Sequence, residues 1–186
     1  MIETRTEEER EYLAYVEQHI KTVQSVWLEL QKHIPDYYWL DDWYYYIVDD
    51  RIRRHDQSKY DSCEFGGYRQ FFYPENENEK NANTFNYAWN HHQKSNDHHW
   101  EYWLLIGNSG KIEALIMDLP SIIEMLCDWT AMSVKFKNMP SHWFDANKEK
   151  MVLHHDTFQT ILYWLPIFDN VYNQMTEKFS EEQEWK

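Results

Sequence analysis

Apolar side chains recur every three or four positions over most of the chain, and this spacing predicts amphipathic helices. Thr6 and Glu9 can form a capping box, so we expect the first helix to begin there and to end before Pro35. Its buried face is predicted to carry Tyr12, Leu13, Val16, Ile20, Val23, Val26, Trp27 and Leu30. Only four glycines occur in 186 residues, fewer than the turns of a many-stranded sheet need. These patterns predict an all-α, single-domain helical bundle over residues 1–186, whose acidic ends, 1–6 and 177–186, are candidates for mobile segments.

The remaining helices are predicted from the same spacing and from capping signals. An aromatic-rich segment runs from Asp36 to about Lys59, and Pro166 is a candidate kink in the last long helix. A capping box of Asp61 and Glu64 opens a short helix, and further helices are predicted over 84–93, capped by Thr84, and over 97–105. Gly107–Gly110 is predicted to form a turn. A helix follows Pro120 with a capping box of Ser121 and Glu124, and the last helix is capped by Asp156 and Gln159.

Charge and composition narrow the class of protein. Acidic residues outnumber basic ones by 32 to 18, and the formal net charge of −14 repels phosphate backbones and anionic lipid. We therefore expect neither general nucleic-acid binding nor membrane binding. A cation-binding centre fits this charge, and so does plain solubility.

The two cysteines and the N-terminus indicate a cytoplasmic protein. Cys63 and Cys127 lack the C-x-x-C spacing of a thiolate zinc site and do not suggest a disulfide framework. The first residues lack the apolar run of a signal peptide, and no stretch approaches the ~18 apolar residues of a membrane span.

Four of the ten histidines lie close together, as His91-His92 and His98-His99. If the helices over 84–93 and 97–105 meet at a tight turn, the two pairs face each other and supply the imidazoles that a transition metal or a phosphate group needs. The alternative is a polar helix-turn-helix in which these imidazoles stack on tryptophan and tyrosine rings.

A second candidate constellation begins with His55 and Asp56 near a predicted helix end. An imidazole and a carboxylate at adjacent positions can share one cation if other helices supply the remaining ligands. His19 and Asp128 each lie on an otherwise apolar helix face, and His33 is the alternative to His19. Taken singly, His19 is a hydrogen-bonded core histidine and Asp128 a surface or capping carboxylate; together with the His-Asp pair they indicate a metal site.

Two further carboxylates bear on this site. Glu124 lies one helical turn before Asp128, so both can face the metal, although Glu124 also fits the capping box with Ser121. The similar string His154-His155-Asp156 is not predicted to be the centre, because its aspartate is better used as a helix cap.

The order His19, His55-Asp56, the middle histidines and Asp128 resembles the H…HD…H…D order of the HD superfamily of metal-dependent phosphohydrolases. From about residue 10 to about residue 165 the chain more closely resembles a small family of bacterial and phage proteins of unknown function. The strings that carry this resemblance are His55-Asp-Gln-Ser-Lys59, Glu64-Phe-x-x-Tyr68-x-x-x-Phe72, Ala88-Trp-x-His-His92, Asn96-x-His98-His-Trp100-x-Tyr-Trp103 and Glu124-Met-x-x-Asp128-Trp129. Ser58 stands where HD proteins often have glycine, and the gap from His19 to His55 is somewhat long.

The resemblance implies an HD-domain-like bundle and a set of roles. His19, His55, Asp56 and Asp128 would hold one divalent ion. Two of His91, His92, His98 and His99, with His92 and His98 as the first choice, would hold a second ion or donate hydrogen bonds to phosphate oxygens. The implied catalytic residues are Asp56, Lys59, His92 and His98, and the implied substrate-binding residues are Lys59, His91 and His99. Mixed nitrogen and oxygen ligands suit manganese, iron, cobalt, nickel or zinc better than calcium.

The main functional hypothesis is a metal-dependent phosphohydrolase that acts on a nucleotide or another small phosphate ester. One alternative is a di-iron oxygenase of the HD type. The other is a protein that binds a nucleotide or a partner without catalysis and has a structural metal or none. The sequence predicts neither the substrate nor the oligomeric state.

Overall fold

Helices dominate the structure, a computed structural model that describes residues 5–34 and 42–184, and this confirms the all-α prediction. The α-helices are α1 (Glu7–Leu30), α2 (Asp42–Arg53), α3 (Ser62–Phe72), α4 (Ala82–Ser95), α5 (Leu119–Phe136), α6 (Pro140–Asn147) and α7 (His155–Glu184). Short 3-10 helices occupy Gln57–Tyr60, Glu77–Glu79, Trp100–Trp103 and Lys148–Lys150. A small antiparallel hairpin joins β1 (Leu104–Ile106) to β2 (Ile112–Ala114), with Leu105 opposite Glu113.

Helix α1 begins as predicted. The Thr6 side chain accepts a hydrogen bond from the Glu9 backbone N–H, and the Glu9 carboxylate accepts one from the Thr6 backbone N–H. Its predicted apolar face is buried, except that Leu13 is half-buried. The helix ends at Leu30; Pro35 and the first part of the predicted aromatic segment, Asp36 to Asp41, lie outside the described residues.

Two clusters of buried apolar side chains meet along α1. The C-terminal half of α1 packs with α2, α5, α6 and α7 around residues such as Trp27, Leu126 and Phe168. Its N-terminal half packs with α3 and α4 in a smaller cluster of Tyr12, Val16, Ile20, Tyr68 and Ala88. The centre of α1, which carries His19, therefore lies where the two clusters adjoin.

A close approach of α3 and α4 depends on Gly67. A Cβ atom at this position would lie 2.6 Å from the Ala88 Cβ and 2.8 Å from the Thr84 carbonyl oxygen. Real Cβ contacts are essentially never this short, so a larger residue would push the two helices apart. Gly67 thus sets the spacing between the helix of Glu64 and the helix of His92.

Several predicted helix starts were wrong because other side chains provide the caps. Helix α4 is capped by Asn81 rather than Thr84, and α5 by Asp118 rather than Ser121. Asp61 precedes α3 without making a side-chain capping bond. Helix α7 begins at His155, with Asp156 in its first turn, and continues through Pro166.

The predicted helix over 97–105 was also wrong. This segment contains a single 3-10 helix followed by β1, and the predicted turn at Gly107–Gly110 joins β1 to β2. Gly110 has a φ of 75°, a conformation that favours glycine. Among the described residues no helix combines the length and apolar character needed to cross a membrane.

Candidate metal centre

The turn after α2 places His55 and Asp56 in the protein interior, where each is about 1% exposed. Asp56 has a left-handed backbone conformation, with φ 57° and ψ 19°, and precedes the 3-10 helix that carries Lys59. This conformation is energetically unfavourable for a residue with a Cβ, although Asp and Asn adopt it more often than most. The reversal lets two consecutive side chains, His55 and Asp56, enter the same buried region.

One group of candidate ligands consists of His19 from α1, His55 and Asp128 from α5. One ligand atom from each lies within 4.8 Å of the others. The His19 Nε2 lies 3.1 Å from the Asp128 Oδ1 and 3.4 Å from the His55 Nε2. The Asp56 Oδ2 is close by, 3.4 Å from the His19 Nε2 and 3.6 Å from the His55 Nε2. Two imidazoles and two carboxylates therefore converge at this point.

A second group lies on the other side of Asp56 and contains His92 from α4 with His98 and His99 from the following loop. Ligand atoms of these histidines and of Asp56 also lie within 4.8 Å of one another. The Asp56 Oδ1 is 3.2 Å from the His92 Nε2 and 3.6 Å from the His98 Nε2. Three atoms in this group, the Asp56 Oδ1 and the Nε2 atoms of His98 and His99, are buried without a hydrogen-bond partner among the described residues.

Unpartnered buried polar atoms are costly, so their convergence needs an explanation. A divalent cation provides one, because it would satisfy several of these lone pairs at once. Asp56 joins the two groups, since its Oδ2 faces His19 and His55 while its Oδ1 faces His92 and His98. The residues present therefore fit one metal ion in each group, with the Asp56 carboxylate between them.

Two buried glutamates orient the histidine rings. The Glu124 Oε1 lies 2.9 Å from the His55 Nδ1 and 3.2 Å from the His98 Nδ1, and the Glu64 Oε2 lies 2.8 Å from the His92 Nδ1. Each bond fixes a ring so that its Nε2 faces Asp56. A carboxylate that accepts the second N–H of a metal-binding imidazole is a common outer partner in metalloproteins.

A polar network also holds Glu64 in place. Ser58 donates a hydrogen bond of 3.0 Å to the Glu64 Oε2, and the Asn96 amide donates one of 2.8 Å to the Ser58 oxygen. Both residues belong to the strings that carried the family resemblance. Ser58 therefore links Asn96 to Glu64.

Without a bound cation, protons compensate the buried charge. Burial lowers the pKa of His19, but Asp128 and Asp56 outweigh burial and raise this pKa to about 9. Burial also lowers the pKa of His98, but Glu124 and Asp56 raise it to about 10. Burial raises the pKa of Asp56, whereas His55, Lys59 and His92 hold it well below its usual range.

His99 behaves differently from the other members of its group. Burial, together with neighbouring His98 and His92, holds the pKa of His99 well below its ordinary value. This ring is therefore neutral, and its nitrogen lone pair is free for a ligand bond. The nearest carboxylate oxygen to its Nδ1 is the Glu101 Oε2, at 4.0 Å, which is beyond hydrogen-bond distance.

The remaining predicted site residues lie around this centre. The Lys59 Nζ is 2.6 Å from the Asp56 Oδ2, and the Lys59 side chain is 14% exposed. His91 lies outside both groups; its side chain is 41% exposed and its Nδ1 is 2.7 Å from the Glu64 Oε1. His33, the alternative to His19, lies instead beside Glu29 and Asn170.

The role of Glu64 was not predicted from the sequence, and Glu124 was left with two alternatives, a position facing the metal and a capping role. The capping interpretations arose because each glutamate follows an Asp or Ser by three residues. Neither makes a capping bond: Glu64 contacts His91 and His92, and Glu124 contacts His55 and His98. The usable signal was that both occur in the family strings.

Two cavities reach the centre. The tyrosine cavity, about 660 Å³, is lined by Tyr12, Tyr15, Tyr68 and Tyr73 together with other aromatic rings, His19, Lys59 and Lys135. The tryptophan cavity, about 440 Å³, is lined by Trp89, Trp100, Trp129 and Trp143 with Glu101 and Lys150. Both are also lined by His99 and Asp128. Their volumes fall within the range of small-molecule sites.

The fold and the centre define an all-α protein with buried histidine and carboxylate groups that could hold metal ions. The model of the family of unknown function DUF5662 matches residues 8–166, and the chain belongs to this family. No curated protein and no solved structure gives a significant match.

Proposed function

We propose that this protein is a metal-dependent phosphohydrolase that acts on a nucleotide or another small phosphate ester with two divalent cations. The observation that carries the proposal is the position of Asp56, whose two oxygens face two separate groups of histidine and carboxylate ligands. Paired cations a few ångströms apart are a recurrent arrangement in phosphoryl-transfer enzymes. The resemblance to HD phosphohydrolases supports the same activity, because it names the same aspartate.

His19, His55 and Asp128 would hold the first ion, and His92, His98 and His99 the second, with Asp56 shared. When bound, such ions supply Lewis acidity, which activates water near neutral pH and neutralises negative charge on phosphoryl oxygens. Imidazole and carboxylate ligands favour manganese, iron, cobalt, nickel or zinc.

The protein's own residues would position the phosphate. The Lys59 ammonium lines the tyrosine cavity beside Asp56, where it can neutralise charge that develops on a phosphoryl oxygen. The Tyr68 hydroxyl is buried without a hydrogen-bond partner among the described residues, and Tyr68 lines the same cavity. Burial raises the pKa of Tyr68 far above its ordinary value, so its O–H remains a donor for a substrate oxygen.

The aromatic walls would exclude bulk water and bind an apolar body next to the phosphate. A protein of net charge −14 repels anions at a distance, so local cationic groups must hold the substrate. Lys59, Lys135 and the bound ions are the cationic groups that the tyrosine cavity offers.

The test is metal analysis of the purified protein combined with phosphate release from a panel of nucleotides and p-nitrophenyl phosphate. We expect divalent metal to co-purify and phosphate release to depend on it. Asp56→Ala should abolish both. Asp50→Ala, which changes an exposed aspartate on α2, is the matched control and should change neither.

Other results would overturn the proposal in distinguishable ways. A folded wild-type protein that stays metal-free under metal-replete conditions would remove the centre. Oxygen uptake by an iron-loaded protein without phosphate release would point to the di-iron oxygenase. Tight nucleotide retention without turnover would point to a binding protein.

A further inference from the structure

We infer that the tyrosine cavity binds a second anionic group of the substrate at Lys135, so that the preferred substrate is a phosphate ester with another phosphate or carboxylate beyond an apolar body. This inference rests on the proposed function for the position of the reacting phosphate. It adds a chemical requirement that the metal centre alone does not impose.

The ring of Tyr15 lies next to both Lys135 and the candidate metal ligand His19. The Lys135 Nζ lies 3.9 Å from the centre of the Tyr15 ring, and this ring lies 6.4 Å, nearly parallel, from the ring of His19. All three residues line the tyrosine cavity. Lys135 and His19 therefore both lie beside one aromatic ring of the cavity wall.

Lys135 has no anionic partner among the residues that the structure describes. Lys59 in the same cavity is already paired with Asp56 at 2.6 Å. Across the residues that the structure describes, no carboxylate lies within ion-pair distance of the Lys135 Nζ, which contacts the rings of Tyr15 and Phe136 instead. Aromatic faces attract an ammonium group but do not replace a counter-ion. Lys135 is exposed to solvent while it lines the tyrosine cavity, so an anion that enters the cavity can reach its ammonium group.

Aromatic side chains form much of the wall of the cavity that Lys135 shares with the centre. They include Tyr15, Tyr73 and Phe136. Such a wall offers large apolar area and few hydrogen bonds. A ligand that fills it must carry its charges at its ends and an apolar or flat body between them.

The experiment compares one-anion and two-anion probes on the metal-loaded full chain. Calorimetry would measure the affinity for adenosine 5′-monophosphate and adenosine 3′,5′-bisphosphate, at low temperature and over times too short for turnover. We expect the bisphosphate to bind roughly tenfold more tightly than the monophosphate, as one additional charge-assisted hydrogen bond predicts.

Variants assign the preference to Lys135. Lys135→Met should bring the affinity ratio of two-anion to one-anion probes close to one, whereas Lys135→Arg should keep most of it. Lys111→Met, a change at an exposed lysine beside the hairpin turn, is the matched control and should leave the ratio unaltered. A ratio near one in the wild type, or a ratio that survives Lys135→Met, would overturn the inference.

Binding and turnover separate the two proposals. If no probe is hydrolysed but binding shows the Lys135-dependent preference, the phosphohydrolase proposal fails and the second anion site stands. In the opposite case, phosphate is released, Lys135→Met changes the release rates of all probes by the same factor, and the wild type binds one-anion and two-anion probes equally well. The phosphohydrolase proposal then stands and the second anion site is wrong.

Discussion

Glu124 offers a direct test of how the centre is organised, because its carboxylate contacts one histidine of each ligand group. Its Oε1 lies 2.9 Å from the Nδ1 of His55, in the first group, and 3.2 Å from the Nδ1 of His98, in the second. Glu124→Gln keeps the size of the side chain and removes its charge. The perturbation should therefore weaken metal binding at both positions.

The magnitude follows from what the carboxylate does. Removing an outer hydrogen-bond partner of a metal-binding histidine typically costs about 10- to 100-fold in metal affinity, or roughly 1.4–2.7 kcal/mol for each ion. In the metal-free protein the loss is an ion pair with His98, whose pKa Glu124 and Asp56 raise to about 10 against the effect of burial. We expect the unfolding free energy of the metal-free variant to fall by about 1–3 kcal/mol.

The assay is competition between the protein and a chromophoric chelator for zinc or manganese, with total metal measured by mass spectrometry. Glu113→Gln on the exposed face of β2 is the matched control. Glu64→Gln provides a contrast, because Glu64 contacts His92 of the second group and no histidine of the first, so it should weaken only one ion. Wild-type affinity for both ions in Glu124→Gln would refute the idea that this carboxylate orients the ligands.

Three further results are expected. Gly67→Ala should lower the unfolding free energy by about 1–3 kcal/mol, because the new Cβ would overlap the Ala88 side chain. Gly66→Ala is the control, because a Cβ at that position would meet nothing within 4 Å, and thermal unfolding compares the two variants. Metal affinity should rise from pH 6 towards pH 9, because the pKa values of His19 and His98 are raised and these rings must lose a proton before a cation binds. Calorimetry in buffers of different ionisation enthalpy counts the protons released. Chelation of the metal should lower the melting temperature by several degrees, as expected when a ligand present at about 100 times its Kd is removed, and re-addition should restore it.

The pH result has a defined sign for stability as well. His19 has a folded pKa of about 9, above its ordinary value near 6.5, after Asp128 and Asp56 outweigh the effect of burial. Its contribution to the stability of the metal-free protein is therefore complete below about pH 6.5 and is lost as the pH rises through about 9. Chemical denaturation of the metal-free protein at pH 6, 7.5 and 9 measures this loss of unfolding free energy. An unfolding free energy that stays the same over this pH range would contradict the predicted contribution of His19.

Local patterns predicted the helices well where capping signals and the apolar spacing agreed. The Thr6–Glu9 box and the apolar face of α1 were sufficient to predict that helix, because capping and burial pointed to the same limits. In the segment 97–105 the pattern was ambiguous. The carbonyl of Trp103 accepts a hydrogen bond from the Leu115 N–H, and this cross-strand pairing competes with helix formation in a way that no short window reveals.

The candidate site shows the same division. His19 and Asp128 could be selected because polar residues on apolar faces need partners, and the structure brings them together with His55. Glu64 could not be selected by this argument. An acidic residue in the first turn of a helix is normally explained by the cap or the helix dipole, so only the tertiary position of α4 reveals its contact with His92.

The dispersal of the ligands along the chain has a consequence for biosynthesis. Helix α1, the turn after α2, helix α4, the loop that follows it and helix α5 each contribute at most two candidate ligands. A nascent chain that has not yet released α5 from the ribosome lacks Asp128, a candidate ligand of the first group, and Glu124, the outer partner of His98 in the second group. Metal acquisition should accordingly be one of the last events in maturation. The bound ion would then stabilise the folded tertiary structure and would not nucleate folding.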